Sequence, residues 1–134
     1  MPFVRSGKEA KGDDSTPAPP NTILLVDDKH ESRAILKWFL SGFGYIVHSL
    51  PSAEDALALF DPRVHDLVVT DNSMPGMTGE EMSHIIKMRS PSTPVIMYTG
   101  KSPADRSCLD IVILKPAHLT VLKDAVDKPL THRG

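Results

Sequence analysis

Five short runs rich in Val, Ile and Leu alternate with segments whose apolar residues recur at helical spacing, and this alternation narrows the fold more than any other feature. The runs lie at 23–27, 45–49, 67–70, 95–99 and 111–114. Continuous aliphatic runs of this length suit strands covered on both faces, as in a parallel sheet. Between them, 31–41 carries Ala34, Ile35, Trp38 and Phe39 at helical spacing and stops before Gly42 and Gly44, so Trp38 is expected to pack inward. Segment 53–60 has Ser52 as N-cap, Leu57 and Phe60 on one face, and Pro62 beyond its end. Thr78-Gly79-Glu80-Glu81 reads as a capping box opening a third helix, whose inward face is Met82, Ile85, Ile86 and the alkyl stem of Arg89. Leu119, Leu122 and Val126 form the stripe of a last helix. Strands joined through helices run parallel, because such crossovers are long and right-handed. The expected fold is α/β, a doubly wound five-stranded parallel sheet in the order 2-1-3-4-5. Its ligands gather at the carboxyl edge, where the winding reverses.

One connection breaks the rhythm. Residues 100–110, with Pro103 among them, cannot hold a mean helix of about 11 to 12 residues plus two connections of about 2 to 6 each. The fourth helix should be shortened or missing. At the ends, 1–21 combines glycines, Asp13-Asp14 and Pro17, Pro19 and Pro20 with little to bury, which predicts a flexible tail or linker. Residues 129–134 are expected to form a disordered C-terminal tail. A net charge of −2 gives no long-range pull toward nucleic acid or an anionic membrane. No apolar stretch approaches the ~18 to 20 residues of a membrane-spanning helix, and the first residues lack a secretory apolar core. A single cysteine, Cys108, cannot form an internal disulfide. These features predict a cytoplasmic domain with neither a nucleic-acid nor a membrane partner.

Three aspartates stand where two of the runs stop. Ile23-Leu24-Leu25-Val26 runs into Asp27-Asp28, and Leu67-Val68-Val69-Thr70 runs into Asp71. In the expected strand order these ends are neighbours, so three like charges meet. A hard divalent cation with oxygen ligands, Mg2+ above all, answers such a cluster, which reads as a metal-assisted phosphoryl site. Taken singly, each residue has an ordinary reading. Asp27 and Asp28 could cap the first helix, Asp71 before Met-Pro-Gly could be a turn residue, and Lys115-Pro116 could be loop punctuation. The six histidines show no paired metal-ligand spacing. Cys108 has no His or second Cys near it in sequence, which predicts a buried, inert thiol.

Taken together, Val26-Asp27-Asp28, Thr70-Asp71-Asn72-Ser73-Met74-Pro75-Gly76-Met77-Thr78-Gly79, Thr99-Gly100 and Lys115-Pro116 resemble the receiver domain of two-component response regulators, over about residues 22–128. The resemblance implies that Asp71 accepts a phosphoryl group from a histidine kinase or histidine phosphotransfer protein. It implies Mg2+ bound by Asp28, Asp71 and the Asn72 backbone carbonyl, with Asp27 acting partly through water. Lys115 would pair with the phosphoryl oxygens, Thr99 would donate a hydroxyl hydrogen bond to them, and the Lys115–Pro116 bond would be cis.

The chain departs from the family pattern at Val112, where family members carry an aromatic switch residue, and at Lys29, where they often carry a further acid. Two other functions compete with the phosphoacceptor reading. A pseudo-receiver would act as a protein-binding scaffold without phosphorylation. A small Mg2+-dependent aspartyl phosphatase of the haloacid-dehalogenase type would want a second aspartate where Ser73 stands. The proline-rich start favours a receiver belonging to a larger protein, such as a hybrid histidine kinase, over a free-standing regulator.

Overall fold

The computed structural model describes residues 21–131. The expected tail at 1–21 therefore lies, but for Asn21, outside the described residues. Five strands, β1 (Thr22–Val26), β2 (Ile46–Leu50), β3 (Leu67–Thr70), β4 (Val95–Thr99) and β5 (Ile111–Leu114), form one sheet in the order β2-β1-β3-β4-β5. Every neighbouring pair is parallel. Four helices connect or follow them: α1 (His30–Ser41), α2 (Ala53–Leu59), α3 (Gly79–Arg89) and α4 (Leu119–Thr131). No helix lies between β4 and β5, so the short connection at 100–110 has the consequence its length predicts.

Burial on both faces of β1 explains its unbroken apolar run. Ile23 and Leu25 join one core layer with Leu36 and Leu40 of α1 and Leu122 and Val126 of α4. Leu24 and Val26 face the other layer, with Ala53, Ala56 and Leu57 of α2 and Met82 and Ile86 of α3. Alternate strand residues thus serve opposite layers, as the pleat requires.

Three expectations need correction. Trp38 is 75% exposed and Ile35 is exposed as well. The α1 residues buried in the core are Leu36 and Leu40, one turn apart, with Phe39 partly buried against it, because this helix carries apolar residues on two faces and only one can meet the sheet. On α3, Arg89 is exposed and its guanidinium donates to the Leu57 carbonyl at 2.8 Å, while Ser83 is buried in its place. Finally, α4 continues through 129–131 rather than dissolving after 128. Leu122, Val126 and Leu130 are all buried, and this i, i+4, i+8 stripe carries the helix past Pro129. Residues 132–134 lie outside the described residues.

Candidate functional site

Strand register carries the chemistry to one edge. Val26 pairs with Thr70 and Thr99 with Leu114, so the residues just beyond β1, β3 and β5 and the last residue of β4 converge. The ladder continues into the loops: Asp71 N–H donates to the Val26 carbonyl at 3.0 Å, and Lys115 N–H to the Thr99 carbonyl at 2.8 Å. Carboxylate oxygens of Asp27, Asp28 and Asp71 lie within 4.8 Å of one another.

The three acids are differently committed. Both oxygens of Asp27 are engaged, one by the Lys29 N–H at 3.0 Å and the other by the Ser32 hydroxyl at 2.6 Å, and its carbonyl accepts from Arg33 at 2.8 Å. Asp27 therefore ties down the approach to α1 as well as facing the cluster, but the N-cap of that helix is Lys29 and no side chain caps it. Asp28 differs, because its Oδ1 is buried with no hydrogen-bond partner. A buried carboxylate oxygen left unpaired costs about 1 to 3 kcal/mol or more, and a bound cation removes that cost. Asp71 is 5% exposed; its Oδ1 accepts from the Asn72 N–H at 2.8 Å. This donor set, oxygen only and anionic, with one unsatisfied buried lone pair, fits a hard divalent ion.

Lys29 is the residue whose position the sequence did not disclose. Its ammonium lies 3.6 Å from Asp71 Oδ2 and 3.8 Å from Asp28 Oδ1, a charge contact longer than a hydrogen bond. Lys29, Lys101 and Lys115 line an open cleft of about 230 Å³ with Asp71, Ser73 and Thr99. One carboxylate among three lysines suits an anion carried in beside a metal ion. Lys115 makes no ion pair with Asp71 among the described residues; its ammonium rests 5.0 Å above the centre of the Tyr98 ring, and the Lys115–Pro116 bond is cis. Thr99 is buried, with its Oγ accepting from the Lys101 N–H at 3.3 Å.

Asn72, expected to offer its carbonyl to the ion, also makes contacts of its own. Its backbone carbonyl accepts from the Gly79 N–H at 3.0 Å and its side-chain oxygen from the Glu80 N–H at 2.9 Å, so it serves the start of α3. Of the two residues after Asp71, Ser73 lines the cleft. Thr78 and Glu81 complete the capping box read from the sequence. The histidines and the cysteine are not all isolated, as their sequence spacing suggested. His48 meets the buried His65 at 3.0 Å, and Cys108 meets His84 at 3.2 Å.

Residues 23–127 match the response regulator receiver domain family. The chain belongs to that family. Like its other members, this receiver is a module of two-component systems. It is 31% identical over 109 residues to the autoinducer 1 sensor kinase/phosphatase LuxN of Vibrio campbellii, a match covering 75% of this chain and 13% of LuxN. The chain thus spans only a small part of the length of that relative. Among solved structures, the response regulator TrrA of Thermotoga maritima, in complex with Mg(2+)-BeF, superposes with a TM-score of 0.77 at 30% identity, covering 81% of this chain and 98% of TrrA. A second structure, of TrrA in complex with the histidine kinase ThkA, superposes with a TM-score of 0.75 at 31% identity, covering 82% of this chain and 98% of the other. No helix among the receiver's described residues is long and apolar enough to cross a membrane.

Proposed function

We propose that this receiver is a phosphoacceptor: Asp71 takes a phosphoryl group from a histidine kinase or histidine phosphotransfer protein in a Mg2+-dependent reaction, and the charge added there switches the loops around it. The observation that carries this reading is the meeting of three carboxylates, one with a buried oxygen that accepts no hydrogen bond, where the third, Asp71, lines a cleft with Thr99 and Lys115. An Asp71 oxygen forms the new O–P bond as the N–P bond of a phosphohistidine breaks, and the departing imidazole takes up a proton. Asp28 and Asp71 would hold the ion together with the Asn72 backbone carbonyl, which has a second lone pair beside the one that accepts from Gly79, and Asp27 would act partly through water. When bound, Mg2+ supplies positive charge against the phosphoryl oxygens. Lys115 pairs with those oxygens from its perch over Tyr98, and the Thr99 hydroxyl donates to them, which couples the covalent state to the segment after β4. A kinase or phosphotransfer donor is in keeping with TrrA, which has been crystallised with the histidine kinase ThkA.

Incubating the receiver with Mg2+ and acetyl phosphate should add one phosphoryl group by intact mass, and Mg2+ with beryllofluoride should shift the amide spectrum. Asp71→Asn should abolish both effects, and chelation should return the resting spectrum. An unchanged mass and spectrum in the wild type would sink the proposal.

A scaffold reading draws its one specific support from Lys29, which already bridges Asp28 and Asp71. Magnitude decides against it. The Lys29 side chain is 63% exposed, and an exposed ion pair contributes about 0 to 1 kcal/mol, far less than a divalent ion can gain among three carboxylates. Lys29 should act only as a weak tethered competitor. Lys29→Met is expected to tighten Mg2+ binding by up to about fivefold, measured by titration of the amide spectrum, since about 1 kcal/mol corresponds to that factor. If Mg2+ bound to Lys29→Met and failed to bind the wild type, the scaffold reading would be favoured.

A further inference from the structure

Cys108 stands on the helix-free connection between β4 and β5, partly exposed, and three side chains order themselves around it. Its Sγ lies 3.2 Å from Nδ1 of His84, on α3. The other ring nitrogen of His84, Nε2, lies 3.0 Å from Asp105 Oδ2. Asp105 is fixed in turn: Oδ1 accepts from the Ser107 N–H at 2.9 Å, and its own N–H donates to Glu80 Oε2 at 2.9 Å. The Ser107 contacts first, and the His84 ring after them, hold the Asp105 carboxyl below the usual carboxylate range, so it meets the imidazole ionised.

An ionised carboxylate only accepts hydrogen bonds, so Nε2 of His84 carries the hydrogen that faces it. In the neutral ring Nδ1 is then the acceptor, and the thiol is what it faces. The order is thiol, then imidazole, then carboxylate, with the outer two on opposite ring nitrogens. That is the arrangement of a nucleophile, its base and the group that orients the base. One metal ion could not engage all three, because the thiol and the carboxylate approach the imidazole from opposite sides. A thiol that merely packs would have apolar neighbours and no such partner.

We propose that Cys108 is an activated surface thiol and a modification site, forming a mixed disulfide with a low-molecular-weight disulfide of the glutathione type. His84 Nδ1 takes the thiol proton as Sγ attacks one sulfur of the disulfide. A new S–S bond forms while the old one breaks, and the leaving thiolate takes the proton back from the imidazolium. The Cys108 sulfur is oxidised, the departing sulfur is reduced, and no other reagent is consumed. Asp105 acts through His84 and is a positioning residue.

The test uses oxidised glutathione on the full chain, with adduct formation followed by intact mass. Cys108→Ser is the blank, and the urea-unfolded wild type supplies the rate of the same thiol fully accessible and unassisted. One adduct is expected. His84→Gln should react about tenfold more slowly than the wild type, below the ~100-fold or more of enclosed general bases because this pair is open to water. Asp105→Asn should fall between the two, since its amide oxygen still orients the ring without the charge. The folded wild type should also outpace its unfolded form, although folding partly covers the sulfur. His84 is exposed on α3, so its replacement leaves the core intact. Equal rates for the wild type and His84→Gln, or a faster reaction in the unfolded chain, would overturn the assignment.

Discussion

The two connections that meet β4 do the same topological work with different materials. From β3 to β4 the chain passes through α3, which buries Met82 and Ile86 and begins in a full capping box. From β4 to β5 it passes through 100–110 with no helix, burying Pro103 and packing Leu109 only in part against the core. What holds the second connection is the outer stripe of the first. Glu80 accepts two of its N–H groups, His84 meets Asp105 and Cys108, and Lys87 pairs with Asp110 at 2.7 Å. These positions stand four and three residues apart, on one face of α3. A crossover without its own apolar stripe is thus fastened to its neighbour by polar contacts near water. Such contacts are individually weak, so the two connections should fail in different ways.

The sharpest break comes at the foot of α3. A Cβ on Gly79 would sit 2.2 Å from the Asp71 carbonyl oxygen and 3.1 Å from the Asn72 Cα, both backbone atoms that no rotamer change can move. Gly79→Ala should cost about 3 kcal/mol, at the upper end for overpacking, and lower the urea midpoint by about 1 to 3 M. Because the obstructed carbonyl belongs to Asp71, the beryllofluoride response should weaken along with stability. An unchanged midpoint would mean that the helical connection is as loosely seated as the other.

That glycine also marks how far the sequence could be read. Sheet order, the missing helix and the capping box at Thr78 followed from run length, spacing and cap chemistry, which are local properties. The convergence of Asp27, Asp28 and Asp71 followed from strand order. Lys29 reaching back over Asp28 and Asp71 was not legible, because a long flexible side chain next to an acidic pair can point anywhere. Trp38 was misread because α1 has two apolar faces and periodicity does not say which meets the sheet. His84 and Cys108 are 24 residues apart and meet only because a short connection folds against α3. The hydrogen bond from Gly79 to the Asn72 carbonyl was not legible, because the turn after β3 decides it and that turn is set by the close approach of Gly79.

A middle-sized effect is expected where the helix-free connection rejoins the sheet. Asp110 Oδ2 accepts from the Val95 N–H at 2.7 Å and from Lys87 at 2.7 Å, and Val95 is fully buried. Asp110→Ala strands that N–H and should cost about 1 to 2 kcal/mol in urea unfolding. Asp110→Asn keeps an oxygen for Val95 and loses only the charge contact with Lys87, in which the Asp110 side chain is half-exposed, so about 0.5 kcal/mol is expected. Should both variants lose equally, charge would dominate over the ladder bond and the connection would be held electrostatically.

The smallest effect tests whether the connection opens by itself. Glu80 accepts from the Ala104 N–H at 3.1 Å and the Asp105 N–H at 2.9 Å, near the middle of the segment. Glu80→Ala removes both acceptors, worth about 1 kcal/mol each, and should speed hydrogen exchange of those two amides by about fivefold or more. Global stability should fall by less than about 1 kcal/mol, the part that Glu80 contributes to the N-terminal dipole of α3. Exchange that accelerates at these two amides while the urea midpoint barely moves would identify a segment with its own opening equilibrium, beside a helix that unfolds only with the core. If the midpoint dropped in step with the exchange, the polar fastening would be part of the cooperative unit, and the contrast between the two connections would be one of composition without one of stability.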